Sequence, residues 1–323
     1  MTRTLVAMIT DDFQPLSVIE DTGFRRFVSL LDPQYSIPNR KKLRLMMEDD
    51  YHKQKEAVNL AMEHSTCVSL TTDIWTSLNS EAYIAVTGHL INTNWCLKAL
   101  ALETFHFPEK HTALNISEVL DNMISKWNIG NKVVSITTDN ASNMTAAVQL
   151  IHSGNIYMQH VPCLAHTINL VVKSSLNTNS ELCIMWEKAR EIVSYFKTCC
   201  NANEKLHEIQ DLMKKPVHKL IQETETQWNK NLTADEWRIL KECLCVLESF
   251  EVVTSEISTE NYTSLSKAIP IIIQLILTIC NGKWATMAAQ ELEHHLHNSL
   301  ISRLRLIETN KVHAVATGLD PRF

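Results

Sequence analysis

Two runs of β-favouring residues each end on an aspartate: Leu70-Thr71-Thr72-Asp73-Ile74-Trp75 and Val133-Val134-Ser135-Ile136-Thr137-Thr138-Asp139-Asn140. β-Branched residues dominate both, and such side chains fit a pleated, half-buried surface. If the two strands are neighbours in one sheet, their carboxylates meet at a single edge. Paired carboxylates at strand ends suit a divalent cation for phosphoryl transfer, because hard cations take oxygen ligands. Either aspartate alone is also what a strand end or a helix N-cap uses.

The pattern around these runs sets the fold class. Val68–Trp75, Tyr83–Ile91 and Leu97–Phe105 read as three strands, with turn residues Asn79-Ser80 and Asn92-Thr93-Asn94 between them. Thr112 opens a helix with the apolar face Leu114, Val119, Leu120, Met123 and Trp127, and Gly130 ends it. A fourth strand over Val133–Thr138, a helix from Ser142 to Ile151, a short strand at Gln159–Pro162 and a helix over Leu164–Leu176 follow. The order β-β-β-α-β-α-β-α predicts an α/β protein with a mixed sheet and helices on its faces. It is the order of the ribonuclease H-like fold, in which the first and fourth strands are neighbours. From about 177 onward strand signals vanish. Met185–Met213, Leu232–Ile257 and Ser264–Leu306 read as helices, broken at Lys215-Pro216 and Ile269-Pro270. The division expected is a helical arm over 1–64, with an extended stretch at Asp32–Pro38, then a ribonuclease H-like core over 65–180 and an incomplete all-α insertion over 181–323.

Composition narrows the function. A net charge of −6 excludes a chain that is basic overall, so any DNA contact rests on local patches. Arg40, Lys41, Lys42 and Arg44 crowd the start of one predicted helix. Cations there oppose the helix dipole, which hints at phosphate contact, although a solvated face explains them as well. Nine irregularly spaced cysteines fit reduced thiols in the nucleus or cytosol. No secretory signal pattern is present, and the longest apolar stretch, Ile269 to Ile279, contains Pro270 and Gln274 and is too short for a bilayer. There is no Gly-rich phosphate loop, H-E-x-x-H, G-x-S-x-G or CxxC motif.

Other residues carry open readings. Cys163 and His166, with His160 nearby, form a Cys/His cluster lacking a fourth zinc ligand, and a buried thiol with a turn-bonding histidine is the plainer account. The loop His106-Phe107-Pro108-Glu109-Lys110-His111 either reaches a metal or phosphate or crosses a sheet edge. Trp228 either stacks on a nucleobase or packs the helical segment.

Taken together, these residues resemble the hAT superfamily of DNA transposases, in particular the vertebrate genes derived from them that encode BED-type zinc-finger proteins. The resembling segments are Thr71–Ser77, Tyr83–Thr87, His106–Pro108 with His111-Thr112, Thr138–Met144 and His160–Leu170. Val193–Lys197, Thr226–Asn229 and Leu319–Phe323 continue the series in the family's order. The resemblance implies a ribonuclease H-like catalytic domain interrupted by a helical insertion. In active members two aspartates and a glutamate hold two Mg²⁺ or Mn²⁺ ions that cut DNA. Asp73 and Asp139 match the two aspartates, Trp228 matches a tryptophan that stabilises a flipped base, and Cys163 with His166 matches a signature beside the active site. The glutamate and a dimerisation surface belong to a segment expected beyond Phe323, and the DNA-binding BED finger is expected before Met1. Gln227 stands where the family usually has arginine, and the stretch after Asn229 looks shorter than in relatives. The expectation is a transposase-derived nuclear protein, catalytically vestigial, whose DNA binding is weak in this chain alone and whose homodimer forms through the C-terminal segment. A fragment of an active transposase, or a scaffold in transcription or SUMO pathways, are the alternatives. If a carboxylate of this chain completes the site, Glu103 on the third strand is the candidate.

Overall fold

A computed structural model describes residues 1–152, 158–214, 232–258, 265–305 and 307–322. It divides into two compact units, Met1–Val161 and Pro162–Phe323.

The first unit begins with helices α1 (Thr2–Asp11), α2 (Thr22–Leu31) and α3 (Arg40–His64), with a 3-10 turn at Leu16–Glu20 before α2. Leu5, Val6, Ile9, Ile19 and Leu43 form a small core among them. The stretch expected to be extended, Asp32–Pro38, lies outside any helix, between α2 and α3. Asn39 starts α3 by accepting the Lys42 N–H on Oδ1 at 2.9 Å, which offsets one orphan donor of the first turn.

Strands β1 (Val68–Thr76), β2 (Ala82–Ile91) and β3 (Leu97–His106) follow, then α4 (Ala113–Lys126), β4 (Val133–Thr138), α5 (Ser142–His152) and β5 (Gln159–Pro162). The sheet order is β3-β2-β1-β4-β5, and β1 pairs antiparallel with β2 but parallel with β4. This is the ribonuclease H-like arrangement the element order predicted. A crossover through α4 makes the parallel β1–β4 pair possible. One sheet face buries Leu70, Ile84, Val86 and Ile136 against Met62 of α3, Ile116 and Leu120 of α4 and Val148 of α5. Gly88 permits that closeness, since a Cβ there would lie 2.6 Å from Met62 Cε. The other face is polar: Ser135 Oγ donates to Ser69 Oγ at 2.9 Å, and Thr71 Oγ1 lies 3.1 Å from His89 Nε2.

The second unit is helical: α6 (Leu164–Leu176), α7 (Ser180–Thr198), α8 (Cys200–Leu212), α9 (Ala234–Ile257), α10 (Leu265–Cys280), α11 (Met287–Leu304) and α12 (Lys311–Gly318). Ile168, Phe250, Ile272, Leu292 and Leu296 anchor its core. Thr233 and Glu236 start α9 with a reciprocal capping box. Two expectations are corrected. The helix expected over Met185–Met213 breaks at Cys199, whose backbone is extended (φ −105°, ψ 99°). Pro270 does not break α10. Proline removes the N–H that would reach the Ser266 carbonyl, and Thr317 Oγ1 of α12 donates to that carbonyl instead, at 2.9 Å. The expected break at Lys215-Pro216 lies outside the described residues.

A candidate carboxylate site at the β1–β4 edge

Thr71 pairs with Thr137 in the parallel register. β1 continues past that pair to Thr76, so by alternation Asp73 falls on the polar face with Ser69 and Thr71, beside Ser135 and Thr137 of β4; Asp139 lies one residue past the end of β4. Asp73 is exposed, and its Oδ1 accepts the Ile74 N–H at 3.0 Å. Asp139 is half-buried, and its Oδ1 accepts the Ala141 N–H at 3.1 Å in the turn that enters α5. Asp139 thus holds the turn that leads into α5.

Thr138 and His160 add a second layer. The Thr138 hydroxyl is buried, donates to the Asp139 carbonyl at 2.6 Å and lies 3.0 Å from His160 Nε2 on β5. Its single hydrogen is spent on Asp139, so His160 must donate from Nε2. Burial pushes the His160 pKa below its usual value, which favours the neutral ring. The sequence placed His160 with Cys163 and His166; the fold puts it against the end of β4.

Glu103 does not complete the site. A bulge between Val86 and Thr87 pairs Thr87 with Ala101 but Val86 with Glu103. Simple alternation from Ala101 would have set Glu103 opposite Ala85, on the face of Asp73. The extra residue, Leu102, turns Glu103 to the apolar face instead. There it accepts from Trp127 Nε1 at 3.3 Å and pairs with Lys126.

Aromatic groups flank the edge. The Trp75 ring, 40% exposed, lies 5.9 Å from the ring of Tyr83, which lies 5.5 Å from that of His106. Tyr83 donates its hydroxyl to Glu81 at 2.9 Å, and that bond raises its pKa. His111 stacks on buried Phe107 at 5.1 Å, and Asn143 Nδ2 donates to its carbonyl at 2.9 Å. The loop from 106 to 111 is packed in place.

The remaining expected residues lie elsewhere. Arg40 pairs with Glu20, while Lys41, Lys42 and Arg44 are exposed along the start of α3. Cys163 precedes α6 and is half-exposed, in place of the buried thiol expected. His166, in the first turn of α6, lines a cleft of about 610 Å³ with Asn169, Val172, Phe250 and Glu251. Trp228 and Gln227 lie outside the described residues.

Among the described residues, no group of three or more His, Cys, Asp or Glu side chains is placed to hold a metal ion. Two carboxylates do not fit a two-metal phosphoryl-transfer centre, which must clamp both attacking and leaving oxygens.

Buried histidines predict a pH dependence. His89, His160 and His313 all have pKa values lowered by burial. The unfolded chain then binds more protons than the folded one below the ordinary histidine pKa, so stability falls as pH drops through that range. The thermal midpoint at pH 5.5 should lie below that at pH 7.5. Replacing His89, His160 and His313 by Gln should flatten the difference, and an unchanged slope in the triple variant would place its source elsewhere.

The fold and the edge define a ribonuclease H-like domain joined to a helical domain. Comparison with known families agrees: residues 71–178 match the model of the ZBED1 RNase-like domain and 161–269 that of the ZBED1 RNase-like helical domain. The chain belongs to the hAT-type family of domesticated transposases. It is 25% identical to human "Zinc finger BED domain-containing protein 4" over its whole length, covering 30% of that protein. It is 31% identical to maize "Putative AC transposase" over 53% of the chain and 22% of that protein. With the "Putative transcriptional regulator tpeD" of Talaromyces stipitatus it shares 23% over 86% of the chain and 39% of that protein. The chain thus spans well under half the length of these relatives. Among the described residues, no helix is long and apolar enough to cross a membrane.

Proposed function

We propose that this chain is the ribonuclease H-like and helical portion of a nuclear, transposase-derived protein that binds DNA and regulates transcription without carrying out transposase chemistry. The observation that carries the reading is the donor set at the β1–β4 edge. Asp73 lies near the end of β1 and Asp139 just past the end of the parallel β4, while the bulge sends Glu103 to the opposite face. Two carboxylates control cation geometry poorly, and in-line displacement at phosphorus depends on that control. The regulatory half of the reading draws on the name of the fungal relative.

The two aspartates at the ends of paired strands favour one further reading, an active transposase whose third carboxylate comes from another part of a longer protein. Incubating the chain with DNA ends in Mg²⁺ or Mn²⁺ separates the two. We expect no strand transfer and no hairpin, with Asp73→Ala and Asp139→Ala indistinguishable from the parent. Metal-dependent cleavage abolished by either substitution establishes the active reading.

DNA contact should run through α3. Arg40 is held by Glu20, which leaves Lys41, Lys42 and Arg44 free to meet phosphates. Neutralising three phosphates gives a log–log salt slope of about −3. Binding to a random duplex should be weak, show that slope and lose most of it in Lys41→Glu/Lys42→Glu. A slope unmoved by that variant would place the contact elsewhere.

A further inference from the structure

We propose that the open edge of the sheet at β3 pairs with the same strand of a second copy of this chain, in an antiparallel two-fold dimer centred on Ala99. β3 ends the sheet on one side, with β2 as its neighbour. The turn between them fixes which backbone groups face outward. The Asn92 N–H donates to the Cys96 carbonyl at 3.0 Å, so these two residues are a bonded pair. Bonded and unbonded pairs alternate along an antiparallel ladder. Lys98, opposite Leu90, and Leu100, opposite Gly88, therefore bond β2. Leu97, Ala99 and Ala101 turn their N–H and C=O groups to the open side. Among the described residues no other segment bonds these groups, and all three residues are exposed. Free donors and acceptors at alternate residues of an edge are a template for one more strand. The opposite edge, β5, is four residues long and ends on Pro162, which blocks pairing there.

The limits of the stretch select a second copy as the occupant. The unbroken ladder of β3 runs from Leu97, where the turn ends, to Ala101, where the bulge begins. Its outward residues are the two ends and the middle, so a two-fold axis at Ala99 uses all of them. Ala99 then meets the partner's Ala99, and Leu97 meets the partner's Ala101. Every outward N–H finds a C=O in an isologous contact. Charge permits the match. Lys98 is the only charged residue from 97 to 101, and the axis sets it opposite the partner's Leu100. The two lysines are left on a diagonal, about 7–8 Å apart, where their repulsion is mild. The same axis lays each turn, with Trp95 87% exposed, alongside the end of the partner's β3. Five paired residues and a turn per copy fall well short of the roughly 1,200 Å² of a standard interface, so the dimer is weak, with a Kd of about 100 μM. This contact is separate from the dimerisation surface expected beyond Phe323.

Sedimentation of the full chain from about 5 to about 500 μM reads the dimer. Over the same range hydrogen exchange should slow at the Leu97, Ala99 and Ala101 amides, while the Lys98 and Leu100 amides stay protected throughout. Ala99→Pro should weaken the dimer about tenfold or more, because the contact loses one bond from each copy. The Ala99 N–H points away from β2, so the proline removes no ladder bond within the chain. Ala99→Lys and Ala99→Glu ask the same question without a proline. Each sets like charges opposite one another and should weaken the dimer at least about fivefold, whereas an equimolar mixture of the two should associate as tightly as the parent or more tightly. A parent chain that stays monomeric at the highest concentration overturns the proposal. So does a dimer indifferent to all three substitutions, or one that leaves exchange at Leu97, Ala99 and Ala101 unchanged, since either places the contact on another surface. A lysine–glutamate mixture no tighter than its components overturns it as well, because residue 99 then does not face itself.

Discussion

Ile136→Ala should destabilise the first unit by about 3 kcal/mol, the usual cost of deleting buried methylenes where neighbours relax only partly. Ile136 is fully buried on β4, pairs with Leu70 in the parallel register and meets the helices of the same core. Val134 on the same strand is the extra residue where the β1–β4 register shifts and is 36% exposed, so Val134→Ala should cost well under about 1 kcal/mol. Denaturant unfolding of the two variants, with hydrogen exchange of the β1 and β4 amides, reads the contrast. Equal costs would mean that Ile136 does not face the core, and the parallel register of β1 with β4 would fall with it.

Thr138→Val should cost about 1 kcal/mol although it conserves volume, because a half-buried donor is left without its acceptor. The group stranded is His160 Nε2–H, which the Thr138 hydroxyl accepts while donating to the Asp139 carbonyl. The loss should be partly recovered by also replacing His160 with an apolar residue, since removing both partners costs less than removing one. A Thr138→Val variant as stable as the parent would show that the hydroxyl holds neither group. The same substitution should loosen the turn that orients Asp139, and backbone amide shifts at Asn140 and Ala141 would report that movement.

The strands were legible because their β-branched runs and turn residues are local signals, and the β1–β4 pairing followed from element order alone. The expectation that Asp73 and Asp139 lie at one end of the sheet rested on that pairing. Glu103 could not be placed, since period-two reasoning assumes an unbroken ladder and the bulge at Leu102 inverts everything after it. The partner of His160 could not be read for a related reason. Its neighbours in sequence, Cys163 and His166, are visible, whereas its neighbour in space, Thr138, belongs to another strand. The helical half resisted reading in both directions. Cys199 breaks a helix with no proline or glycine to announce it, and Pro270 announces a break that α10 does not make.

The contact at Pro270 has a consequence for how this sequence is able to drift. The proline withholds a hydrogen from the Ser266 carbonyl, and a hydroxyl forty-seven positions away, on Thr317, supplies it. The two sites are thus bound in one ledger of substitution. A chain that regains an ordinary residue at 270 releases 317 to become valine or alanine at little cost. A chain that keeps the proline must keep a donor on α12. Two positions with no resemblance in chemistry or in sequence neighbourhood would then vary together across descendants, each change permitted only by the state of the other.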